Sequence, residues 1–150
     1  MKNKFKTIGL LLCFAATLMM VSCNKDEVNT SKIVGTWGCI SSYEHYWGTD
    51  VWGDGSLHPY DHESNDNAIG AFLDLKDDAT YTITGPTGDI FYPTEGNWLV
   101  DGNSLILGGR KFEIQHLDNT SLKLYRSHSF IHIEGVGEYI ETICEFKKQK

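Results

Sequence analysis

From Lys32 onward, apolar and polar residues alternate with a period of two more often than they recur at helical spacing. That pattern belongs to strands with one buried face. The first segment, IVGTWGCISSYEHY over 33–46, places Trp37, Cys39, Ser41 and Tyr43 on one face. Residues 47–68 interrupt the alternation with Gly, Asp, Asn and His, and are expected to form a long loop. Short alternating segments follow at 71–76, 80–84, 94–100, 103–107, 111–117, 121–130 and 138–147. Asp77-Asp78-Ala79, Asp101-Gly102, Gly108-Gly109 and Asp118-Asn119 separate several of them as turn signals. Eight short strands joined mainly by hairpins predict an all-β chain, a single eight-stranded up-and-down antiparallel β-barrel. Closure also removes the sheet edges that otherwise invite aggregation.

The same period assigns residues to the barrel interior. Phe112, Ile114 and His116 share a face of one strand; Leu122, Leu124, Arg126 and His128 share a face of the next. The interior is therefore expected to begin apolar and end polar at one mouth. Arg126, His116 and His128 there suit a ligand carboxylate, with apolar side chains around its tail. Trp37, Tyr43, Tyr81 and Trp98 are expected to line the cavity or to fill the core. An unpaired buried guanidinium is costly, so Arg126 needs solvent, a ligand anion or a carboxylate. Glu44, Glu95 and Glu141 are the internal candidates. Cys39 and Cys144 lie on the first and last strands, both inward, as a disulfide or as two buried thiols.

The segment DGSLHPYDHE, 54–63, gathers His58, Asp61 and His62, residue types that ligate divalent metals. Their spacing matches no dedicated site, so a solvated loop is expected and no metal or cofactor is assigned. Asp50, Asp54 and Asp66 lack calcium-loop spacing. No nucleophile–base–acid pattern is recognisable, which points away from an enzyme. Tyr46, Trp47, Trp52 and Tyr60 among polar residues suit sugar stacking or a protein interface. A second class of function follows: a surface module binding glycan or protein through the aromatic loop 46–63.

The first 22 residues differ in kind. Lys2, Lys4 and Lys6 precede an apolar run from Ile8 to Val21, the build of a secretory signal peptide. Its removal takes three lysines and no acid, so the formal net charge of −7 falls by three more. An acidic chain of this kind is not expected to bind nucleic acid or to dock on anionic lipid by charge.

Two resemblances sharpen the picture. Met20-Val21-Ser22-Cys23 resembles the bacterial lipobox, which implies a diacylglycerol thioether and a further acyl chain such as palmitate on Cys23. Lys25-Asp26-Glu27 resembles the export signal of Bacteroides-group surface lipoproteins, implying an outer-membrane, lipid-anchored protein exposed at the cell surface. The implied organisation is a signal peptide at 1–22, a lipidated cysteine and flexible tether at 23–31, and a barrel domain at 32–150. Within that domain IVGTW, FLDLKDDATYT, EGNWLVDGNSLIL, FEIQHLDNTSLKLY and ETICEFKK resemble, in order and spacing, the bacterial lipocalin-like lipoproteins. That resemblance implies a small barrel binding a partly apolar ligand without catalysis.

Overall fold

The computed structural model describes residues 28–133 and 136–150, so the signal segment and Cys23 lie outside the described residues. A four-residue helix, α1 (Thr30–Ile33), precedes nine strands: β1 (Gly35–Val51), β2 (Leu57–Asn65), β3 (Phe72–Leu75), β4 (Thr80–Thr84), β5 (Glu95–Asp101), β6 (Ser104–Leu107), β7 (Arg110–Leu117), β8 (Ser121–Ile133) and β9 (Val136–Lys148). Every pairing is antiparallel, and β1 pairs with β9 to close a barrel of eight strands, β1 and β3–β9. The expected eight-stranded barrel is present. One strand is additional.

The extra strand comes from the segment expected to be a loop. β1 runs on to Val51, turns through a bend held by Gly55 N–H to Trp52 O (2.8 Å), and returns as β2. β2 reads LHPYDHESN, polar on both faces, so it carries no alternation to recognise. Its backbone partners come from β1, from Tyr43↔Asn65 to Val51↔Leu57. As an edge strand it tolerates Pro59, and Asp61 and Glu63 discourage pairing with another chain. Above the barrel proper, β2, β1, β9 and β8 form a four-stranded wall in that order.

The barrel interior is packed. Trp37, Leu73, Leu75, Tyr81, Leu105, Phe112, Leu122, Leu124 and Phe146 are almost wholly buried within one contiguous core. Trp37 donates its indole N–H to Ile33 O (2.7 Å), and Lys148 Nζ stands 4.9 Å from its ring, so α1 and the β9 end close this pole. At the other pole Phe91, from the β4–β5 connection, packs on Phe112 (5.5 Å) and Phe146 (5.9 Å) and stoppers the lumen.

Two bulges redistribute side chains between faces. In β1 the register against β9 shifts between Cys39 and Ser41, so Ile40 is the extra residue, 48% exposed. A bulge inverts the alternation that follows it. Trp37 and Cys39 face inward as expected; beyond Ile40 the inward set is Ser42, Glu44 and Tyr46, and Ser41 and Tyr43 turn outward. In β7 a second shift between Ile114 and His116 turns His116 out while Phe112 and Ile114 stay in.

Candidate ligand-binding cleft

The wall rises over the stoppered end of the barrel, and the register fixes which groups meet on its inner face. Arg126, Thr142 and Glu44 lie side by side across β8, β9 and β1; His128, Ile140 and Tyr46 form the next row, and Phe130, Glu138 and Gly48 the third. With Asp89, Ile90 and Arg110 opposite, these groups (apart from Gly48) line a cleft of about 320 Å³. Gly48 has a steric reason to be glycine. A Cβ there would sit 2.2 Å from Gly137 O and 3.0 Å from the Tyr60 hydroxyl.

Each charged group has a definable state. Arg126 sits half-buried over the Phe112 ring, 5.8 Å from its centroid, and among the described residues it makes no ion pair or hydrogen bond. Burial and the nearby charge of Arg110 lower its proton affinity. Arg110 donates to Asp89 O (2.7 Å), strapping the β4–β5 connection to the barrel. Glu44 is buried but satisfied, accepting from Asn67 Nδ2 (2.6 Å). Burial, the neighbouring Glu44 carboxylate and the charges of Asp89 and Glu138 push the Tyr46 phenol well above its ordinary range. His128 is held below the ordinary histidine value by burial and by Arg126 and Arg110, so it is neutral at pH 7. Its Nδ1 is buried with no hydrogen-bond partner among the described residues. Native structures seldom leave such an atom unanswered.

Of the expected ligand-binding residues, Arg126 and His128 come together at this mouth. Trp37, Tyr81 and Trp98 lie in the core instead, the last two bonded to Pro93 O (2.8 Å) and Lys76 O (2.9 Å). Tyr43 is on the outer face of the wall, the consequence of the β1 bulge. His116 is at the opposite pole, exposed and paired with Asp118 (3.0 Å), the consequence of the β7 bulge. Neither Glu95 nor Glu141 pairs with Arg126: Glu95 is exposed on β5, and Glu141 accepts from the Tyr125 hydroxyl (2.8 Å) on the outer face.

The aromatic segment 46–63 is divided by strand alternation. Tyr46 and Tyr60 face inward, and Trp52 stacks on His58 at the hairpin tip (4.1 Å). Trp47 points outward between His45 (4.5 Å) and Tyr139 (5.7 Å, rings within 15° of parallel). Alternation also separates the metal candidates: His58 and His62 share one face of β2, and Asp61 pairs from the other with His45 (2.8 Å). Among the described residues no three His, Cys, Asp or Glu side chains converge for a metal. Cys39 and Cys144 meet across the β1–β9 seam as buried free thiols, and the neighbouring Cys39 thiol, with burial, raises the Cys144 thiol far above its ordinary value.

Three contributors were not legible in the sequence. Arg110 follows a glycine pair and reads as a turn residue; Glu138 reads as the start of a strand. Ile90-Phe91 left one clue, an apolar pair inside the polar stretch between Gly88 and Pro93. The architecture is thus an eight-stranded antiparallel β-barrel with one added strand, and no protein-family model, curated protein or solved structure matches the chain.

Proposed function

We propose that this is a non-catalytic, lipocalin-like binding domain whose cleft takes a small, partly apolar anion. One observation carries the reading: Arg126, Arg110 and His128 line a cleft beside Ile90, Ile140 and Phe130, with no ion pair to Arg126 among the described residues. A carboxylate there accepts from a guanidinium, and an attached hydrocarbon covers the three apolar side chains. Phe91 blocks the lumen, so the ligand lies above the core instead of threading into it.

The test is calorimetric titration of hexanoate and decanoate. Saturable binding should weaken about 10- to 100-fold in Arg126→Ala, the range for one charge-assisted hydrogen bond. Equal affinity in both proteins removes Arg126 from the site.

The proposed setting is the outer face of an outer membrane, with Cys23 carrying the lipid; single acyl chains hold proteins only weakly, so the diacylglycerol matters. Cys23→Ala should abolish palmitate labelling and release the protein from membranes. Labelling that persists in Cys23→Ala rejects the anchor. Replacing Lys25-Asp26-Glu27 with alanines should keep the lipid and lose surface protease sensitivity.

A second reading rests on the Trp47–Tyr139 stack, since Tyr139 is 44% exposed beside carboxylates Asp61 and Glu141. Parallel rings bordered by acceptors suit a saccharide face, making the outer wall a glycan-recognition surface. Loss of glycan-array binding in Trp47→Ala supports it; an unchanged profile removes it.

A further inference from the structure

The cleft is bipolar. Its cationic groups are Arg126 on β8 and Arg110 opposite, with neutral His128 beside Arg126; its carboxylates are Glu44 on β1, Glu138 on β9 and Asp89 in the β4–β5 connection. Between them lie Thr142 and Ile140, which carry no charge. Among the described residues, none of these cations and carboxylates comes close enough to form an ion pair. Groups of opposite sign around one small cleft that do not pair leave each sign available to a ligand.

The carboxylates are not equivalent. Glu44 is buried and already accepts from Asn67, and Asp89 is exposed to solvent beside Arg110. Glu138 is only partly buried, at the outer end of the cleft between Phe130 and Gly48, with the Tyr60 hydroxyl as its neighbour. Along β9, Glu138 stands four residues beyond Thr142, the partner of Arg126. At about 3.3 Å per residue that is roughly 13 Å of strand, less the reach of both side chains. Ile140 and Phe130 fill the interval.

Resting on the anion reading above, we propose that the ligand is amphoteric: an elongated molecule with a carboxylate at Arg126 and a primary ammonium at Glu138, joined by an apolar chain over Ile140 and Phe130. An ammonium there gains a carboxylate acceptor and the face of an aromatic ring. A plain fatty-acid anion of the same length leaves Glu138 facing hydrocarbon, which costs binding through desolvation.

The experiment titrates the full chain with hexanoate, 6-aminohexanoate, 8-aminooctanoate and hexylamine, in wild type, Arg126→Ala and Glu138→Gln. The expected result is that at least one ω-amino acid binds about tenfold or more tighter than hexanoate, the worth of one charge-assisted bond. In Glu138→Gln the ratio of ω-amino acid to hexanoate affinity should collapse toward one, while Arg126→Ala should weaken every carboxylate probe. Hexanoate binding as tightly as both ω-amino acids, with that ratio unmoved by Glu138→Gln, overturns the amphoteric inference and leaves the anion reading standing. Hexylamine binding as well as the ω-amino acids, insensitive to Arg126→Ala, overturns both. So does the absence of binding by any probe.

Discussion

β1 and β9 run side by side through two regions of opposite character. Up to the Ser42–Cys144 pair their inward residues are Trp37, Cys39, Ser42, Cys144 and Phe146, packed with almost no exposure; above it they are Glu44, Tyr46, Thr142, Ile140 and Glu138. The backbone is the same paired ladder in both. What differs is whether a second layer covers the inner face. Below, the far side of the barrel does, and apolar groups are selected by the loss of water. Above, the wall faces the β4–β5 connection, Arg110 and Asn67 of the β2–β3 connection; Glu44 and Thr142 are buried there, while Tyr46, Arg126, Ile140 and Glu138 stay partly exposed around a cleft. The lower half holds the fold, and the upper half presents chemistry.

Inserting one alanine after Ser42 should have the largest effect on this contrast. Unless a second bulge forms, every later residue of β1 changes face, moving Glu44 and Tyr46 outward and Tyr43 and His45 inward. Loss of cooperative unfolding in a thermal melt is the expected result; a melt like wild type means the strand absorbs the extra residue in a new bulge. Next, Phe112→Ala in the lower half should cost about 3–5 kcal/mol, as for other large aromatic truncations in cores. Urea unfolding measures it.

Within the wall, Gly48→Ala should cost about 1–3 kcal/mol, because its Cβ meets a carbonyl across the β1–β9 seam and backbone cannot swing aside. Arg126→Met removes a half-buried cation with no ion pair among the described residues. It should change stability by less than about 1 kcal/mol, on the stabilising side, while impairing anion binding. A strongly destabilised Arg126→Met would place this residue with the lower half.

The smallest effect is on pH dependence. The folded pKa of His128 is depressed, so its unfolded form binds a proton first as pH falls. Stability attributable to this group is intact above the unfolded value of about 6.5 and declines below it until the folded value is passed. His128→Gln should flatten that part of the stability–pH curve.

Much of the lower half was legible because each strand there has one covered face, and water imposes a two-residue period on the sequence. Leu73, Leu75, Leu122, Leu124 and Phe146 follow it without exception. β2 was not legible, because its strand character comes from hydrogen bonds to β1 and not from burial. Tyr43 and His116 were misplaced for a third reason: a bulge adds one residue without a composition signal. Ile40 and Gln115, at the two register shifts, look like ordinary strand residues.

By itself the sequence determined the all-β class, the β1–β9 seam and an interior apolar at one end and charged at the other. Those follow from local periodicity and the exclusion of water from one face of each strand. Tertiary structure alone decided that the lumen is stoppered by Phe91, that Arg110 and Glu138 join Arg126 and His128, and that the aromatic hairpin faces two ways. Such outcomes depend on register across strands distant in sequence, and a shift of one residue in either partner changes which side chains meet.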